Sequence, residues 1–89
     1  MNPREQGTIR VLRLDELAVG QVARVLDVEG EDAVAVRLLE MGLVDGTEVR
    51  FLGAAPLGDP LEFLIRGARL SLRRSEARRV SVEPNTVSS

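Results

Sequence analysis

The sequence predicts a mainly β domain: a small barrel of five short strands, with one short α-helix after the first strand and one helical turn before the last. Three observations carry this expectation. Five short segments are rich in β-branched or alternating apolar residues. Turns built on Gly and Pro separate them at close spacing, which favours a barrel or sandwich over an open sheet. Only one stretch, residues 29–42, has helical periodicity.

Residues 1–8 are polar and unpatterned and are expected to form a flexible arm; the domain is expected over 9–83 and a disordered tail over 84–89. "LDELAVGQ" (14–21) reads as a short turn with Leu14 and Leu17 pointing inward. "VARVLDV" (22–28) reads as the first strand. Its inner face stays ambiguous, because Val25, Leu26 and Val28 do not alternate. "EGEDAVAVRLLEMG" (29–42) reads as the helix. Acidic residues at its start favour the positive end of the helix dipole. Val34, Leu38 and Met41 share one face, with Ala35 and Leu39 beside them. Gly42 fits the position just past the helix, where φ is commonly positive. A Schellman ending there would bring Leu38 against Leu43.

"VDGT" (44–47) is a turn, with Gly46 supplying the permissive φ. "EVRFLG" (48–53) is the second strand, with Val49 and Phe51 on one face. "AAPLGDP" (54–60) is a loop. "LEFLIR" (61–66) is the third strand, with Leu61, Phe63 and Ile65 on one face. Gly67-Ala68 suits a type II′ hairpin turn. "RLSLR" (69–73) is the fourth strand, with Leu70 and Leu72 inward. "RSEAR" (74–78) is the helical turn, with Ser75 as its expected cap. "VSV" (80–82) is the fifth strand.

Composition narrows the chemistry. The chain has 89 residues, which fits one domain. A domain of this size buries little over ~60% of its unfolded surface, leaving no room for a deep pocket. It has no Cys and no His, so no Cys–His or Ser–His–Asp site can form. Imidazole and thiolate ligands are absent too, leaving carboxylates as the strong metal ligands. All 12 basic residues are Arg, which excludes a lysine Schiff base. The chain is therefore expected to be non-enzymatic, with no cofactor and no tight metal site. Glu29, Glu31 and Asp32 could hold a divalent ion only weakly, and helix N-terminal electrostatics account for them. The absence of Cys, of an apolar leader and of a long apolar run points to the cytoplasm.

At "RLLEMGLVDGTEV", then "APLGDP", then "GARLSLRRSEA", the chain resembles the FeoA family. The blocks span residues 14–83 in the family's order and spacing. Asp45 stands where the family often has Pro, which leaves that turn less constrained. The resemblance implies an SH3-like barrel and a role in bacterial ferrous iron uptake. It also implies a partner: the FeoB transporter, a membrane protein with a cytoplasmic G-protein domain. Any membrane contact would then be through that partner. The same domain occurs at the C-terminus of DtxR-type iron-dependent repressors. With only a short arm before Leu14, this chain is expected to resemble the free-standing form.

Three candidate sites follow. The apolar cluster at the helix end (Leu38, Leu39, Met41, Leu43 and Val44) offers Leu38, Met41 and Leu43 as partner contacts, against a reading in which all five are core. Leu38 and Leu39 lie ~100° apart on a helix, so one of the pair is expected to be partly exposed. The "APLGDP" loop offers Leu57 as an anchor, with Gly58 and Asp59 beside it. The third is basic: six Arg fall within 66–79 against Glu76 alone. Arg69, Arg73, Arg74 and Arg78 form a candidate patch for electrostatic steering.

The alternatives are a nucleic-acid-binding barrel and a free-standing iron-regulatory module. Base-stacking barrels need exposed aromatics. Here the only aromatics are Phe51 and Phe63, both on predicted inner faces, and net charge is -2. No nucleic-acid partner is expected. A proline-binding SH3 groove needs aromatic walls as well. No G-x-x-x-x-G-K-[ST] loop is present, so GTP chemistry would belong to the partner.

Overall fold

The structure, a computed structural model, describes residues 10–85. The elements are β1 (Leu12–Arg13), a 3-10 helix (Leu14–Glu16), β2 (Val22–Val28), α1 (Ala33–Glu40), β3 (Glu48–Ala54), β4 (Leu61–Ile65), β5 (Ala68–Leu72), α2 (Arg74–Ala77) and β6 (Val80–Pro84). They form one antiparallel sheet in the order β1-β6-β2-β3-β4-β5.

The sheet has six strands rather than the expected five. The additional one, β1, is two residues long and pairs Leu12 with Val82 and Arg13 with Ser81. Two residues carry no periodicity, so only pairing with a distant segment defines such a strand. The expected turn at 14–21 contains the 3-10 helix, and Leu14 and Leu17 are buried as expected. β1 and β5 are the edges of the sheet. α2 packs against both β5 and the 3-10 helix, bridging the two ends of the sheet. The arm expected over 1–8 lies outside the described residues. At the other end, Pro84 belongs to β6 and the Asn85 amide donates to Val22 O at 2.9 Å, so the domain extends past 83.

A register shift between Val25 and Asp27 explains the broken alternation of β2. Leu26 is the extra residue of this bulge, so Val25 and Val28 both face the core despite their spacing. The core also holds Leu14, Val49, Leu61, Leu72, Val80 and Val82. Phe51 and Phe63 meet within it, with ring centroids 5.3 Å apart and planes tilted by 40°. The separation suits an offset aromatic pair.

α1 is shorter than the predicted stretch because Asp32 is its N-cap. Asp32 Oδ1 accepts the Ala35 amide at 3.2 Å. Arg79 grips the same carboxylate with two bonds of 2.5 and 2.7 Å, tying the helix start to the segment before β6. This guanidinium, helped by the Ala35 amide, lowers the Asp32 pKa to about 2 from an ordinary value of 3.8. The pairing raises the Arg79 pKa in turn.

The C-terminus of α1 has the predicted Schellman geometry. Gly42 N donates to Leu39 O at 3.0 Å, and Leu43 N donates to Leu38 O at 3.2 Å. Gly42 has φ +109°, where a side chain would be strained. Leu38 and Leu43 are both fully buried. The expectation that they are partner contacts is corrected: the reversal at Gly42 folds both side chains into the barrel.

Two turns also differ from expectation. The β4–β5 hairpin turns at Arg66-Gly67, not Gly67-Ala68, because Ala68 pairs with Ile65. Both turn residues have positive φ, 52° and 81°, which makes it type I′ rather than II′. At α2, Arg73 occupies the N-cap position and Ser75 lies inside the helix. The Glu76 carboxylate reaches back to the Arg73 amide at 2.9 Å and replaces the expected hydroxyl cap.

Burial of Leu43 sets the first prediction. Leu43→Ala is expected to cost about 2–5 kcal/mol in urea unfolding. Leu43→Asp is expected to lose the folded circular dichroism spectrum altogether. The second concerns pH. The folded-state pKa of Asp32 lies below its unfolded value, so its contribution is complete above pH 4–5 and is lost as pH falls toward about 2. Asp32→Asn keeps a capping oxygen but cannot form this ion pair. The gap between wild-type and variant urea midpoints should therefore shrink as pH falls through that window.

Candidate interaction surface

Of seven exposed large apolar side chains among the described residues, four come from one short stretch: Val36, Leu39, Met41 and Val44. α1 turns Ala35 and Leu38 inward, which leaves Val36 and Leu39 on its outer side. Met41 and Val44 flank the Gly42 reversal, whose buried member is Leu43. Met41 is thus where a contact residue was expected, while Leu38 and Leu43 are not. Leu39 and Val44 belong to the apolar cluster the sequence singles out, though neither was named as a contact, and Leu39 is the exposed member of the Leu38–Leu39 pair; Val36 was not among the sequence candidates. For Val36 and Leu39 the signal was helical spacing: once Ala35 and Leu38 face inward, the residues one position further on face out.

Leu57, at the tip of the β3–β4 loop, is 96% exposed. Backbone bonds close the loop, from Gly58 N to Ala55 O (2.7 Å) and from Ala55 N to Pro60 O (2.9 Å). Arg74 fastens it to α2: its guanidinium donates to Gly58 O at 2.9 Å, and its amide donates to Asp59 Oδ1 at 2.8 Å. Asp59 thus also supplies an acceptor to the start of α2, and Gly58 contributes a carbonyl. The structure brings the loop and one member of the Arg cluster together, which spacing along the chain did not foretell.

The rest of the Arg cluster is dispersed. Arg78 Nε donates to Asp15 Oδ2 at 3.1 Å, Arg69 lies 3.9 Å from Glu62, and Arg79 holds Asp32. Arg37 of α1 pairs with Glu76. Arg66 and Arg73 are exposed and have no ion-pair partner among the described residues. The local excess of positive charge is therefore smaller than the sequence count implied.

Among the described residues, no group of three or more Asp or Glu side chains is placed to hold a metal ion. Asp32 is already engaged by Arg79 and the Ala35 amide. A surface depression of about 560 Å³ is open and lined by residues of both charges, including Asp45, Glu48, Arg50 and Arg66. Among the described residues, no helix is long and apolar enough to cross a membrane.

The FeoA domain family model matches residues 12–84. A curated relative, the Fe(2+) transport protein A/Fe(2+) transporter FeoB fusion protein of Porphyromonas gingivalis, is 40% identical over 72 residues; these are 81% of this chain and 8% of the fusion. Among solved structures, FeoA of Chlorobium tepidum superposes with a TM-score of 0.79 at 40% identity, covering 88% of this chain and 74% of that one. FeoA of Stenotrophomonas maltophilia, a prokaryotic SH3 domain protein solved with zinc, gives 0.72 at 41% identity over 81% and 89%. A manganese-dependent transcriptional repressor shares the fold alone, with a TM-score of 0.78 at 18% identity over 88% of this chain and 38% of that one. The fold is accordingly SH3-like, and the chain belongs to the FeoA family, which is associated with ferrous iron transport.

Proposed function

We propose that this chain is a non-catalytic accessory protein of ferrous iron uptake, working in the cytoplasm by binding a FeoB-type transporter. The observation that carries the reading is covalent. In the Porphyromonas gingivalis relative, a transport protein A part and a FeoB part share one polypeptide. Joining two domains holds them at an effective concentration of about millimolar, which benefits parts that work in contact. Nucleotide chemistry would belong to the partner. The interior placement of Phe51 and Phe63 favours this reading over a base-stacking barrel.

Leu57 is the proposed anchor of one contact. An apolar side chain on a braced tip loses little conformational freedom on docking. Gly58 and Asp59 support it through Arg74. Arg73, which has no ion-pair partner among the described residues, would steer approach to an acidic surface of the partner, together with what charge Arg69, Arg74 and Arg78 keep beyond their own contacts.

Affinity capture of a FeoB-type transporter in mild detergent tests the reading. Wild-type protein is expected to retain the transporter. Leu57→Ala is expected to weaken retention roughly 10-fold with an unchanged thermal midpoint. Asp59→Ala should weaken it as well, by releasing the tip from α2. No retention by wild type would refute the partnership. If steering operates, the association rate falls as salt is raised from about 50 to 500 mM. A rate indifferent to salt would remove the Arg patch from the mechanism.

A further inference from the structure

We propose that β5 pairs with β5 of a second copy of this chain, joining two sheets through a twofold antiparallel contact. β5 is an edge strand, and at five residues it is the longer of the two edges. The hairpin before it fixes which of its backbone groups are already used. In a two-residue type I′ hairpin the residues flanking the turn, here Ile65 and Ala68, exchange backbone bonds, and the exchange recurs at every second pair. Phe63–Leu70 and Leu61–Leu72 are therefore the other bonded pairs. The amides and carbonyls of Arg69 and Ser71 point the opposite way, off the sheet. Among the described residues, neither takes part in a backbone bond outside the strands. Ala68, Arg69 and Ser71 are all exposed, so the described residues leave this edge open.

Register selects the occupant. An open edge is a template for pairing with another chain, and like charges directly opposite each other oppose the pairing. A twofold axis at Arg69 would set that cation opposite itself, and one at Ser71 would set Arg69 opposite Arg73. An axis at Leu70 instead sets each Arg69 opposite Ser71 of the other copy. The outer faces are then complementary. Ser71 lies opposite Glu62 in its own sheet, and its hydroxyl donates to that carboxylate. Arg69 of one copy thus extends toward Glu62 of the other. Within one copy Arg69 is 3.9 Å from Glu62 and its side chain is 74% exposed, so its donors are not fully spent.

The inner faces match under the same axis. Leu70 packs against the core but is only partly buried. It meets Leu70 of the second copy at a non-hydrogen-bonded position, where opposed side chains come closest. Gly67 falls opposite Arg73, and the missing side chain leaves room for the guanidinium. Arg66 and Arg73 lie beyond the paired stretch, where both are exposed and salt screens their repulsion. A contact of one short strand is small beside the interfaces of permanent dimers, so a Kd of roughly 100 µM is expected.

Sedimentation equilibrium of the full chain, from about 10 µM to 1 mM, tests the pairing. Wild type is expected to approach twice the monomer mass at the upper end. Ser71→Pro removes an outward amide without removing a bond to β4, and is expected to raise Kd at least about 10-fold. Ser71→Ala keeps that amide and is expected to stay within about threefold of wild type. Arg69→Glu and Glu62→Arg are each expected to be monomeric alone, because like charges then meet across the axis. Mixed in equal amounts they are expected to form a dimer containing one of each, since each carries the charge the other lacks. That gain on mixing cannot come from the folding of either variant, so it decides the matter even if Ser71→Pro unfolds. A wild type that stays monomeric at 1 mM would overturn the inference and leave the edge to a strand of another protein. A folded Ser71→Pro that dimerises as wild type does, or a mixture no heavier than its components, would overturn it as well.

Discussion

The Leu43 amide reaches back to the Leu38 carbonyl across Gly42, and this closure sorts the apolar residues of 36–44 into two populations. Leu38 and Leu43 go to the core. Val36, Leu39, Met41 and Val44 are left facing out. A side chain at position 42 would have to adopt a φ near +109°, which costs L-residues energy. Without that reversal the chain could not bury Leu43 while delivering Thr47 and Val49 to the start of β3. The backbone, not hydrophobicity, therefore decides which of these apolar residues are buried and which face out.

α2 is the second organising element, although it is one turn long. Its Arg74 holds the Leu57 loop, Glu76 reaches Arg37 on α1, and Arg78 beyond its end binds Asp15 by the 3-10 helix. Arg79 then secures the cap of α1. A helix this short is not stable by its own backbone bonds. Its persistence comes from the elements it joins, among them the loop that carries the exposed Leu57. Exposed ion pairs contribute little individually, so their value here is positional rather than a large gain in stability.

A basic run in a sequence suggests a basic face. Here the folded chain spends most of that run on its own carboxylates and on one loop carbonyl, leaving Arg66 and Arg73 without an ion-pair partner among the described residues. The acidic residues show the converse. Asp32 is consumed by a cap and an ion pair, whereas Glu40 and Asp45 have no ion-pair partner among the described residues. Charge available to a partner is what remains after internal pairing, and that remainder cannot be counted along the chain.

The sequence by itself determined the barrel class, the inward faces of β3 and β4, the helix and its glycine ending, the family and the limits on catalysis. Those features rest on local periodicity, on φ preferences or on residue types that are absent. Only the tertiary structure decided the two-residue β1, the bulge at Leu26, the hairpin turn at Arg66-Gly67 and the fate of each Arg. Each of these depends on which residue lies opposite once the strands pair: Val82 for β1 and Val25, Ala68 opposite Ile65, and Asp15, Glu62 or Asp32 for the guanidinium groups. The same holds for the correction at Leu38 and Leu43. An apolar residue at a helix end reads identically whether it is core or contact, and only the packing of the reversal against the sheet tells the two apart.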